Sequence, residues 1–130
     1  MRTITTDLDA LAHHLGVCVL EHQGGEKGRH YPGGILSLRA GLHPTLRRCT
    51  LAHELAHYIL KHEPTSDPWL HSRQERKADE LAAELLITPE DYEHAEMMVG
   101  HHASALAAEL DVTKHLIHVW RNLHERKLTP

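Results

Sequence analysis

His53-Glu54-Leu55-Ala56-His57 carries the one spacing in this chain that points to a defined chemistry. In a helix, residues i and i+4 lie one above the other, so both imidazoles reach the same ion. Zn²⁺ accepts such nitrogens at about 2.0–2.1 Å, and a catalytic site adds a third protein ligand while keeping one position for water. Glu54 follows a ligand in sequence but is rotated off the ligand line. That suits it to act as general base, taking a proton from water, rather than to bind the ion. Fifteen of the 130 residues are His, so in this composition an H-E-x-x-H arises by chance with a probability of roughly 0.15. Its context decides the matter. Leu51, Leu55, Ala56, Ile59 and Leu60 make an apolar stripe around it, and two buried His beside a Glu need polar partners that Leu55 and Ala56 do not offer.

The third ligand has to come from another element. Glu75 lies eighteen positions past His57, at the head of a second apolar helix, and Asp79 is one turn further on the same face. Asp79 can accept the free N–H of a ligating His and so fix its tautomer. Taken alone, Glu75, Arg76, Lys77, Asp79 and Glu80 also fit a solvated charged face. Paired with the upstream H-E-x-x-H, the metal reading is the better one. Zn²⁺ is the expected cofactor, although two His and a carboxylate also accept Mn²⁺ or Fe²⁺.

Two runs, His53-Glu-Leu-Ala-His57 and Glu75-Arg-Lys-Ala-Asp-Glu-Leu-Ala-Ala-Glu-Leu-Leu-Ile-Thr-Pro89, resemble the ImmA/IrrE family of zinc metallopeptidases. That family shows H-E-L-x-H and then E-x-x-A-[N/D]-x-F-A-x-x-L-L-x-P. The glycine-rich lead into Ile35-Leu36-Ser37-Leu38 is similar too, and the likeness spans about residues 5–90. Leu81 stands where the family favours Phe, a core exchange that leaves the ligands untouched. The resemblance implies His53, His57 and Glu75 as ligands, Glu54 as base and Asp79 as support behind the ligands. It also implies a substrate: a helix-turn-helix repressor, cut to switch on genes of a mobile element or a stress response.

The elements that must position these residues can be read from periodicity. Leu8, Leu11, Ala12 and Leu15 predict a helix over 5–15, stopped by Gly16. Residues 17–20 and 35–40 read as strands of a sheet of two or three, and the stretch from Gln23 to Gly34 reads as turns throughout. A helix is expected from Pro44 to about His62, a loop over 63–71, and a second helix over about 72–87. Thr88-Pro89-Glu90-Asp91 restarts a helix, with Thr as cap and acids in the first turn. One more helix is expected near 102–110 and a last one capped by Thr113. The fold class is therefore α+β. A small N-terminal sheet packs on the two ligand-bearing helices of a single domain over 1–130, with a helical C-terminal extension from about 90 to 130.

Composition sets the outer bounds. A 130-residue chain supports one core, and with no Phe, two Trp and three Tyr that core must be aliphatic. A net charge of −4 argues against a protein that grips nucleic acid mainly through phosphates. Cys18 and Cys49 form no disulfide framework, and no stretch reads as a signal peptide or membrane span. The expected location is the cytoplasm; the oligomeric state is not legible.

Weaker signals remain. His101, His102 or His118 could serve an oxyanion, though solvent exposure is the plainer reading for each. Tyr58 and Cys49, both near the motif, read as packing residues. Residues 104–120 resemble a helix-turn-helix whose second helix would present Lys114, His115, His118 and Arg121. Two rivals to a peptidase follow: an anti-repressor that binds without cutting, and a DNA-binding regulator working through residues 102–126.

Overall fold

The computed structural model describes residues 7–128, with side chains described through residue 125. Helix α1 (Leu8–His14) is capped by Asp7, whose side chain accepts from Ala10 N. Residues 5 and 6 of the expected helix lie outside the described residues. Strands β1 (Cys18–His22), β2 (Gly28–Tyr31) and β3 (Ile35–Arg39) form a sheet in the order β1-β3-β2, with β1 parallel and β2 antiparallel to β3. Then follow α2 (Pro44–Ile59), α3 (Pro68–Leu86), α4 (Pro89–Val99), α5 (Ala103–Leu110) and α6 (Lys114–Leu128). The class is α+β, as the sequence predicts.

Two boundaries differ from the sequence reading, for local reasons. Strand β2 lies inside the stretch read as turns throughout. Its four residues Gly-Arg-His-Tyr offer no apolar alternation, and pairing with β3 rather than intrinsic propensity makes it a strand. Gly33 and Gly34 close the β2–β3 connection at φ +84° and +76°, a region open to glycine at little cost. Helix α3 starts four residues earlier than expected. Asp67 accepts from Trp69 N and Leu70 N, and Pro68 occupies the first helical position, where its missing N–H is no loss.

The central strand β3 buries Leu36, Ser37 and Leu38. Leu36 and Leu38 face α2, and the pairing of Gly28 with Leu38 and His30 with Leu36 turns those two β2 residues toward α2 as well. Helix α2 buries Leu51, Ala52, Leu55 and Ala56, and α3 buries Ala78, Ala82, Ala83 and Leu86. The aliphatic core runs without a break into the C-terminal helices through Leu106, Leu110, Val112, Leu116, Ile117 and Trp120. Trp120 stacks on Tyr92 and donates its indole N–H to Ile87 O at 3.0 Å. No helix among the described residues is long and apolar enough to cross a membrane.

Leu55 has no exposed surface and belongs to the aliphatic core at the centre of the motif. Leu55→Ala is expected to destabilise the protein by about 2–5 kcal/mol, measured by urea unfolding with an unchanged slope.

Candidate metal centre

Helix α2 begins at Pro44 behind His43, whose side chain accepts from Thr45 N. Its helical repeat then stacks His53 and His57 on the face that meets α3, where Glu75 and Asp79 are also one turn apart. His53 Nδ1–H donates to Asp79 Oδ1 at 2.9 Å. With that proton placed, the other nitrogen of neutral His53, Nε2, carries a lone pair. It faces Glu75 Oε2 and His57 Nε2, each at 3.1 Å. His57 Nε2 is 2.5 Å from the same Glu75 oxygen. Behind the His57 ring, its Nδ1 lies 2.9 Å from His62 Nδ1; with His57 as donor there, its Nε2 also presents a lone pair.

Three electron-rich atoms thus converge on one point. An ion bound tetrahedrally at 2.0–2.1 Å would hold its ligands about 3.3 Å apart; the two separations from His53 Nε2, 3.1 Å each, are near that, and the His57–Glu75 separation of 2.5 Å is shorter. The donor set is that of a two-His, one-carboxylate site, so the residues fit a divalent ion. His30, Glu54 and His57 also lie within ion-binding reach of one another. The His30 and His57 rings, however, are stacked at 4.6 Å with planes 23° apart. Imidazole lone pairs lie in the ring plane, so these point side by side rather than at a common centre. His53, His57 and Glu75 are the better-aimed group.

Electrostatics follow the same geometry. Burial opposes charge on His53, but its hydrogen bonds to Asp79 and Glu75 and the nearby Glu54 charge outweigh burial and push it up to about 10. The hydrogen bonds from His53 and His57 hold the Glu75 carboxyl far below the usual carboxylate range. Burial works to raise Asp79, yet hydrogen bonds from His53 and His115 bring it below its ordinary value. Burial, followed by the charges of His57 and His30, lowers His62.

Glu54 is buried, and His30 Nδ1–H donates to its Oε1 at 3.0 Å. Two cavities flank it. One of about 470 Å³ runs from Gly28 past Cys49, His53 and Glu75 to Thr113, His115 and Leu116 on the C-terminal side. The other, of about 580 Å³, opens past His30, His57, Glu75, Pro64 and His71. The C-terminal segment therefore contributes a wall of the cleft.

The structure brings together all five residues expected from the sequence: His53, Glu54, His57, Glu75 and Asp79. Of their neighbours, His30 and His62 have no role in the sequence reading, and His115 is expected there only on a DNA-reading face. His115 Nε2–H donates to Asp79 Oδ2 at 2.9 Å, which makes a chain from α6 to His53. In so His-rich a sequence no spacing singles these three out. None of His101, His102 and His118 lines either cavity; His101 pairs with Glu96 instead. Tyr58 reaches Leu15 O at 3.4 Å, and Cys49 is buried, which pushes its thiol up. Of the four side chains a DNA-reading α6 would present, His115 is held by Asp79. Arg121 is held by the Tyr92 hydroxyl and His101 O.

Compared with family models, residues 9–119 match the IrrE N-terminal-like domain, a peptidase family. The chain belongs to that family. The match continues well past residue 90, where the likeness legible from motifs ends, and so takes in the α6 wall of the cleft. Among curated proteins none matches the chain. Membership supports a metallopeptidase-type role.

With metal stripped, His53, Glu75 and Asp79 set opposing limits on stability. His53 rises from 6.5 to about 10 on folding, so its contribution is complete below pH 6.5 and lost as pH climbs toward 10. Glu75 and Asp79 fall from 4.5 and 3.8, so theirs is present above those values and lost in acid. The lowered His62 opposes this weakly on the acid side of 6.5. Thermal melting with chelator present is expected to be most stable between about pH 4.5 and 6.5. A steady rise from pH 5 to 9 would contradict the linkage.

Proposed function

We propose that the protein is a zinc-dependent endopeptidase whose ion is held by His53, His57 and Glu75 and whose general base is Glu54. The observation that carries this reading is the convergence of two imidazole nitrogens and a carboxylate oxygen within 3.1 Å, beside a buried carboxylate. When bound, such an ion supplies Lewis acidity that polarises a carbonyl and acidifies water. The chain's own residues do the rest. Glu54 takes a proton from the attacking water as its oxygen adds to the scissile carbonyl. The same carboxyl then returns that proton to the amide nitrogen as the C–N bond breaks. Asp79 holds His53 in the tautomer that keeps Nε2 free, and the flanking cavities leave room for a peptide on both sides of Glu54.

The substrate we infer is a helix-turn-helix repressor, cleaved in the cytoplasm to relieve repression of a mobile element or stress genes. This rests on the family resemblance. A DNA-binding role for residues 102–126 is the poorer reading, because His115 and Arg121 are engaged within the molecule. Binding without cutting is separated from hydrolysis by one substitution.

Glu54→Gln is expected to keep zinc and lower cleavage by about 10²–10⁴-fold. The assay is mass spectrometry of new termini after incubation with a panel of helix-turn-helix repressors. A variant that inactivates repressors as well as wild type while holding zinc would rule out catalysis as the mechanism. Glu75→Ala is expected to lose stoichiometric metal by elemental analysis, and full retention would overturn the ligand assignment.

A further inference from the structure

The side of Glu54 away from the ligands is closed by β2. Gly28 and His30 are two residues apart on that strand, so both face α2. A Cβ on Gly28 would stand 2.7 Å from Glu54 Oε2 and 2.8 Å from both Glu54 Cγ and Thr50 Cγ2. Gly28 is not among the residues of positive φ. Its backbone does not demand glycine; the space taken by Glu54 does. His30 Nδ1–H meanwhile donates to the other oxygen, Oε1, at 3.0 Å. One carboxylate oxygen is thus tied by a hydrogen bond, while the other lies where only a glycine lets it lie.

We propose that β2 is a socket for the base, with Gly28 and His30 as positioning residues that fix the Glu54 carboxylate for proton transfer. This rests on the reading of Glu54 as base. An unheld glutamate has three rotatable bonds, and proton transfer needs hydrogen-bond reach at the moment of attack. A displacement of about 1 Å can lower a rate by roughly 10²-fold. Neither residue contributes an atom to the ligand group His53, His57 and Glu75; His30 also stacks on the His57 ring, an apolar contact that His30→Leu can keep while losing the hydrogen bond to Glu54.

The test uses the zinc-loaded 130-residue chain with Gly28→Ala, His30→Leu and His30→Asn. The asparagine amide can place a donor where the imidazole Nδ1 stood. Three quantities are read: zinc affinity by chelator competition, kcat and KM on a quenched fluorescent peptide library, and affinity for acetohydroxamate. That small acid chelates such an ion while passing its proton to a neighbouring carboxylate. For Gly28→Ala and His30→Leu, zinc affinity is expected within about twofold of wild type and KM little changed. Their kcat and hydroxamate affinity should fall by roughly 10–100-fold, and His30→Asn should recover most of the loss. In a Glu54→Gln background the β2 substitutions should cost no further hydroxamate affinity. Unchanged kcat and hydroxamate affinity in His30→Leu would overturn the socket, as would losses that persist undiminished without the Glu54 carboxylate. If Gly28→Ala does not fold, the His30 pair decides alone. Cleavage that survives Glu54→Gln by itself would overturn the base assignment instead, a separate failure.

Discussion

With both rings neutral and protonated at their back nitrogens, His53 Nε2, His57 Nε2 and Glu75 Oε2 are three atoms with lone pairs that point at one another across 2.5–3.1 Å. Such atoms repel unless a proton or a cation lies between them, so the arrangement has to be held from outside. Asp79 takes the proton at the back of His53, and His62 meets the back of His57. His115 steadies Asp79 from α6, and His30 lies flat on His57 while holding Glu54. Much of the architecture follows from this constraint. The sheet brings His30, the loop after α2 brings His62, and the last helix brings His115. A chain of this size reaches such a density of directed contacts only by drawing on elements from both of its ends.

On the proposed reading, proton and cation compete for the same centre. Without an ion, the hydrogen bonds of His53 to Asp79 and Glu75 favour its charged form, so His53 is raised while both carboxylates are lowered. Binding a metal requires the added proton to leave. The carboxylates that stabilise the stripped protein in mild acid are the same ones that favour a cation at higher pH.

How much of this was legible follows from the physics of each element. The two ligand helices announced themselves through 3.6-residue apolar periodicity and through fixed i, i+4 pairs. A helix encodes such pairs locally, so His53, His57, Glu75 and Asp79 could be read from spacing. Strand β2 could not. Gly28-Arg-His-Tyr31 becomes a strand only because β3 pairs with it, a non-local cause that leaves no periodic trace. The supporting histidines were hidden for a different reason: among fifteen of one residue type, spacing carries little information. The C-terminal helices were legible as helices, but their role was not. A helix-turn-helix pattern and a packed pair of helices share the same Ala/Leu periodicity and the same buried face, and what weighs against a DNA-reading face is the engagement of His115 with Asp79 and of Arg121 with Tyr92 and His101.

The alanines around the ligands have a consequence of a mechanical kind. Ala56 lies three residues past His53 and Ala78 three past Glu75, so each shares a helical face with a ligand, and both are fully buried, as are Ala52 and Ala82. Small side chains allow α2 and α3 a close approach, and the gap between them sets the reach of every ligand. Metal sites tolerate errors of about 0.2 Å, finer than the width of a single methyl group. The helix interface is therefore a gauge block for the centre. On the proposed reading, its smallest, chemically inert residues set the separation from which the longer side chains of His53, His57 and Glu75 reach a common point.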